Sequence, residues 1–207
     1  MNYLKKGLLC IALSYCLILQ GCSLAWIGTL DTVLAAAAPA LNNVLTIISL
    51  AQNKPVNTVL EAKITADAAN LKVLAADFAA ASGSTAPTAC QELQAGVNVL
   101  NDDAATVLAL VQASGSNNVQ AIFAAADAFV VVIVGLIPQC ASPAAISASK
   151  KLVVARVAGI DANAMVSHYN QVLTKPSGSA VIDSYAKSHQ VHAHSKFMRV
   201  LSFGHQK

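Results

Sequence analysis

Apolar residues recur every three or four positions from about Trp26 to Leu50: Leu30, Val33, Leu34, Ala37, Leu41, Val44, Leu45 and Ile48. That period belongs to a helix with one buried stripe. Pro39 falls inside the run and predicts a kink or a split, and "AQNKP" at 51–55 ends it. A second stripe, Leu60, Ile64, Ala68, Leu71, Leu74 and Phe78, predicts a helix over about Val56 to Ala80, with its charged residues mostly off the stripe. "ASGSTAPT" at 81–88 has the composition of a loop. A third helix follows Cys90, with Leu93, Val97, Leu100, Val107 and Val111 facing inward. Asp102 and Asp103 lie mid-helix; adjacent carboxylates would suit general acid/base work only if they converged on one pocket, and since helix neighbours point about 100° apart a solvated outer face is the expectation.

After the connector "ASGSNN" at 113–118, the most apolar stretch of the mature chain predicts a fourth helix over about Val119 to Ile137. Its run Val130–Val134 is β-branched and also suits a strand. A membrane-inserted helix is a further alternative, although the apolar run 121–137 is only 17 residues and Asp127 would be costly in hydrocarbon. The Ala-rich flanks and the lack of a partner strand favour a buried core helix, with Asp127 at a cap or an exposed site. Four periodic segments joined by short connectors predict an all-α fold, an up-and-down antiparallel bundle over 22–140. The remainder, 141–207, reads as a less regular helical extension. Ser142 and Pro143 start one segment well and Gly159 can end it. Residues 161–175 form another, with Met165, Tyr169 and Val172 on one side and Pro176 and Gly178 after it. A last segment over 180–203 carries Val181, Ile182, Tyr185, Phe197, Val200 and Leu201.

The amino terminus follows a different rule. Lys5 and Lys6 precede an uncharged apolar run from Gly7 to Leu19, the pattern of a secretory leader. That run is short of the roughly 20 residues needed to span a bilayer. It ends in Leu19-Gln20-Gly21-Cys22, which resembles the lipobox of bacterial lipoproteins. Gly21 and Cys22 supply a small residue beside the cut and a reachable thiol; Gln20 stands where Ser, Ala or Thr is usual. The resemblance covers residues 1–23 and implies nothing about the mature fold. It implies removal of residues 1–21, a diacylglyceryl group on the Cys22 thiol and an acyl chain such as palmitate on the new amino terminus. Ser23, where Asp would favour inner-membrane retention, implies the periplasmic side of the outer membrane in a Gram-negative host. A plain signal peptide and an uncleaved anchor are the alternatives. Cys10 and Cys16 lie within the leader as small apolar fillers.

Charge divides the mature chain. Residues 22–149 carry three lysines against eight carboxylates, whereas 150–207 carry eight basic residues against two acidic ones and all five histidines. The mature total is close to neutral, which speaks against nucleic acid as a partner. Charged residues make up only 11% of the full sequence, against about 25% in ordinary globular domains. So sparse a surface is either covered by an envelope protein, a second copy or a membrane face, or built of Ala, Ser, Thr, Asn and Gln.

Cys90 and Cys140 are the cysteines left once Cys22 is acylated. An exported compartment permits a bridge between them, and an antiparallel helix hairpin would make their positions neighbours. They lack the close spacing of zinc or redox pairs. His189, His192 and His194 form the one weak metal candidate; a solvent-exposed basic tail is the simpler reading, and no resident metal or cofactor is expected. No nucleophile-elbow, zincin, P-loop or dinucleotide-binding pattern appears in the mature chain, so no residue is assigned a catalytic role. The leading class is a non-enzymatic envelope module. A small-ligand or metal-binding periplasmic module and a membrane-inserting helical protein are the alternatives.

Overall fold

The computed structural model describes residues 28–137 and 159–192. The leader with Cys22, Ser23 and Trp26, the stretch with Cys140 and the proposed helix after Ser142, and the tail with His194 and Phe197 lie outside the described residues. Among the described residues there are helices and no strand: α1 Gly28–Gln52, α2 Thr58–Ala80, α3 Ala86–Ser114, α4 Asn117–Leu136, α5 Ala162–Leu173 and α6 Ala180–Ser188. The β-branched run Val130–Val134 is helical. Val130 and Ile133 point into the core, while Val131 and Val134 are exposed.

Local chemistry sets the ends. At the end of α1, Asn53 takes a left-handed φ of 51° and the Lys54 amide donates to the Ser49 carbonyl at 2.9 Å, the closing bond of a Schellman-type stop. The Asn57 side chain accepts from the Leu60 amide at 3.1 Å and so caps α2. The stretch expected as a loop before Cys90 is mostly ordered. A 3-10 turn at Gly83–Thr85 leads straight into α3, whose first turn contains Pro87. Gly115, with φ 65°, stops α3, and the Ser116 hydroxyl accepts from Val119 to start α4. The connector is therefore two residues, and it forces α4 back along α3.

Direction follows from side-chain pairs. Asp31 meets Lys72, Asn42 meets Thr65, and Thr46 meets Glu61, so α2 runs antiparallel to α1. Lys63 meets Asp103, and Gly96 faces Leu71 and Leu74, so α3 runs antiparallel to α2. With α4 returning along α3, the first four helices are an up-and-down antiparallel bundle. The start of α1, the end of α2, the start of α3 and the end of α4 share one end of it.

The fold goes beyond the sequence reading in α1. The predicted stripe is buried throughout, and burial extends past it on both sides, to Ala36, Ala40, Asn43 and Ile47 and to Ala38 and Ser49. A helix with so wide a buried face sits deeper in a bundle than one with a single narrow stripe. It is covered by α2 on one side and reached by Tyr169 of α5 and Tyr185 of α6 on another. Nor does Pro39 split it. The helix is continuous through that residue, whose ring is exposed, so the Ala35 carbonyl that loses its intrahelical donor lies on the wet side. The stripes read for α2 and α3 are buried, with Leu74 only half-buried.

The shorter α5 and α6, of 12 and 9 residues, are the less regular helical extension. They are seated firmly nonetheless. Tyr169 is fully buried, its ring edge-on to Phe129 of α4 with centroids 6.0 Å apart, and its hydroxyl donates to the Ala40 carbonyl at 3.2 Å.

Candidate functional site

Of the residues singled out in the sequence, Cys90 is the best defined. It is fully buried in the first turns of α3 and is disulfide-bonded. Cys140 lies outside the described residues, and so do Cys10, Cys16 and Cys22. Asp102 is exposed, as expected, but Asp103 corrects the expectation of an outer-face pair. It is 2% exposed. Three residues after Leu100 and four before Val107, it lies on the buried stripe rather than beside Asp102 on the wet face.

Asp103 is the centre of an ion cluster between α2 and α3. The Lys63 ammonium donates to its Oδ1 and to Asp67 Oδ2, the latter at 2.7 Å. Both contacts push the Lys63 pKa above its ordinary value. Burial raises the Asp103 carboxyl against the pull of Lys63, and the Asp67 carboxylate beside it adds to the rise. Asp103 Oδ2 is buried and has no hydrogen-bond partner. The nearest chemistry is a shared ammonium between two carboxylates, a geometry that fixes the register of α2 against α3. The sequence signal was an acid in register with a core stripe.

A second polar seam joins α1 to α6. Asn43, 6% exposed, uses both ends of its amide. Its nitrogen donates to the His189 carbonyl at 2.7 Å, and its oxygen accepts from the Tyr185 hydroxyl at 3.0 Å. His189 stacks on Tyr185 with centroids 3.9 Å apart. Asn170 does the same for the segment after α6: its amide exchanges two bonds with the Val191 backbone at 2.8 and 2.9 Å. Burial lifts the hydroxyl pKa of both Tyr169 and Tyr185. These groups hold the extension in place, and neither asparagine stood out in the sequence from ordinary polar positions.

Of the weak metal candidates, His189 is occupied by this stack, His192 is exposed and His194 is outside the described residues. Among the described residues no group of three His, Cys, Asp or Glu side chains is arranged to hold a metal ion. Asp127 is half-buried on α4, and burial raises its carboxyl pKa. An open cleft of about 460 Å³ lies between α5 and the segment at 190–192, edged by Asn163, Ser167, Gln171, Thr174, Gln190 and His192. Its amides and hydroxyls offer hydrogen bonds but no converging charge. Among the described residues two helices, α1 and α4, are long and apolar enough to cross a membrane; the apolar window of α1 is 72% buried inside the fold and that of α4 50%.

No family model, no curated protein and no solved structure matches this chain.

Proposed function

We propose that this is a lipid-anchored cell-envelope protein whose helical bundle acts as a structural or protein-interaction module rather than as an enzyme. The single observation that carries the reading is the leader ending in Leu19-Gln20-Gly21-Cys22. The fold agrees with that role. Its polar side chains are spent largely on fixing helix against helix, at Lys63–Asp103, Asn43–Tyr185 and Asn170–Val191, and the anchor cysteine precedes α1 by a short tether. A bridge from Cys90 to Cys140 belongs to the same reading, because the start of α3 and the end of α4 share one end of the bundle. The periplasmic face of an outer membrane is the site that Ser23 supports.

The test is fractionation of the host envelope with and without Cys22→Ser. The reading expects the native protein in the membrane fraction and the variant released without detergent. Retention of the variant would favour insertion of a helix instead. The small-ligand alternative draws on the cleft beside α5. It expects a stoichiometric companion in native mass measurement of the purified protein, and loss of that companion on Asn163→Ala and Gln171→Ala together.

A further inference from the structure

The exposed face of α4 changes character along its length. At the Gly115 end it shows Asn117 and Gln120; toward the other end it shows Ala124, Ala128, Val131 and Val134. Val131 is 60% exposed and Val134 42%. Asp127 is the one charged residue in the helix. Large branched apolar side chains held in water at one end of a helix lose the favourable transfer that burial would give. A covering surface would recover that transfer for two such residues nearly one turn apart on one face, and its chemistry follows from what the chain places at that end.

The end of α4 lies beside the start of α1, since successive helices alternate direction. Five residues, 23–27, separate Cys22 from Gly28. However they are arranged, they cannot reach beyond about 20 Å, at no more than 3.6 Å per residue. The bundle is longer: the 23 residues of α2 rise about 35 Å at 1.5 Å per residue. An acylated Cys22 would thus hold the bilayer surface at the end carrying Val131 and Val134, and away from the end carrying Val59, itself 79% exposed.

We propose, resting on the lipid-anchor reading, that Val131 and Val134 form a membrane-docking face, on which the acylated protein seats the end of α4 in the interfacial region of the bilayer. The face has no cation to pair with acidic headgroups, so the recognised surface is apolar and zwitterionic lipid suffices. The lipid tether confines the bundle near the surface, and the valines choose which side of it turns inward.

The experiment uses the acylated full mature chain on phosphatidylcholine vesicles, with a fluorophore at Val131→Cys or, separately, at Val59→Cys, labelled without reductant. Quenching by aqueous iodide is compared with that of the same labelled chains carrying Cys22→Ser in solution. The inference expects the Val131 probe to be quenched several-fold less on vesicles than in solution, with the Val59 probe unchanged. Equal quenching at both positions on vesicles, in protein whose mass shows the acyl groups, would overturn the docking face and leave the anchor intact. Shielding of Val131 already in the Cys22→Ser chain would assign the face to residues 138–158 or to a second copy, and would also overturn it. A chain without acyl mass would overturn both the anchor and the face.

Discussion

Replacing Tyr169 by Ala tests whether the carboxy-terminal helices share the bundle's core. The side chain is 0% exposed, lies edge-on to Phe129, and donates to Ala40 across 129 positions of sequence. Large aromatic-to-Ala changes in cores cost about 3–5 kcal/mol, from lost burial and the cavity left behind. The ring contact adds about 1 kcal/mol. The hydroxyl contributes less, because the Ala40 carbonyl is also an acceptor within α1; Tyr169→Phe should cost about 1 kcal/mol. For Tyr169→Ala we therefore expect about 4 kcal/mol, and a fall in melting temperature of about 8–16 °C for a chain of this size. Chemical denaturation measures the first and a thermal scan the second, both followed by far-ultraviolet circular dichroism. A loss below about 1 kcal/mol for the Ala variant, or an early separate transition that leaves the first four helices intact, would refute a shared core.

Cys90→Ser should lower stability by about 4 kcal/mol if its bridge closes the 50-residue loop to Cys140, and Cys90→Ser with Cys140→Ser should cost little more; non-reducing peptide mapping that pairs Cys90 elsewhere would contradict this. Lys63→Met should destabilise the fold, since it strips Asp103 of its counter-ion, and adding Asp103→Leu should recover most of the loss in a denaturant double-mutant cycle. Burial raises the folded pKa of Asp127 above 3.8, so the native state holds that proton more tightly than the unfolded chain. Its contribution to stability therefore falls as pH rises from about 4 through the raised value. Asp127→Asn should remove that component, and melting curves of both chains between about pH 4 and 7 should show the variant gaining relative to the parent at the upper end.

Much of this architecture was legible in the spacing of apolar residues. Leu60 to Phe78 and Leu93 to Val111 are stripes that a 3.6-residue period buries whatever the partner. The connectors at Gly115 and Asn53 carry the residue types that left-handed backbone requires. What spacing could not rank was the position of each helix in the bundle. A stripe was visible in α1, but its central place depends on which helices cover Ala36, Ala40 and Ile47. Asp103 was readable in register with Leu100 and Val107, and was misplaced because it was considered as one half of an adjacent carboxylate pair. Its partner Lys63 stands 40 positions away, and no local rule joins them. Asn43 meets Tyr185 and His189 across 142 and 146 positions, and Asn170 meets the Val191 backbone across 21; none of these polar residues stands out in composition. The candidate lipidation site was legible because it obeys a short linear pattern, "LQGC", that needs no tertiary partner.

The anchor itself is tested most directly by the intact mass of native protein extracted from the envelope of its host. The account predicts a chain that begins at Cys22, having lost residues 1–21, and that carries the added mass of a diacylglyceryl group and an amino-terminal acyl chain. A mature chain that starts elsewhere without lipid, or one that retains its leader, would contradict it.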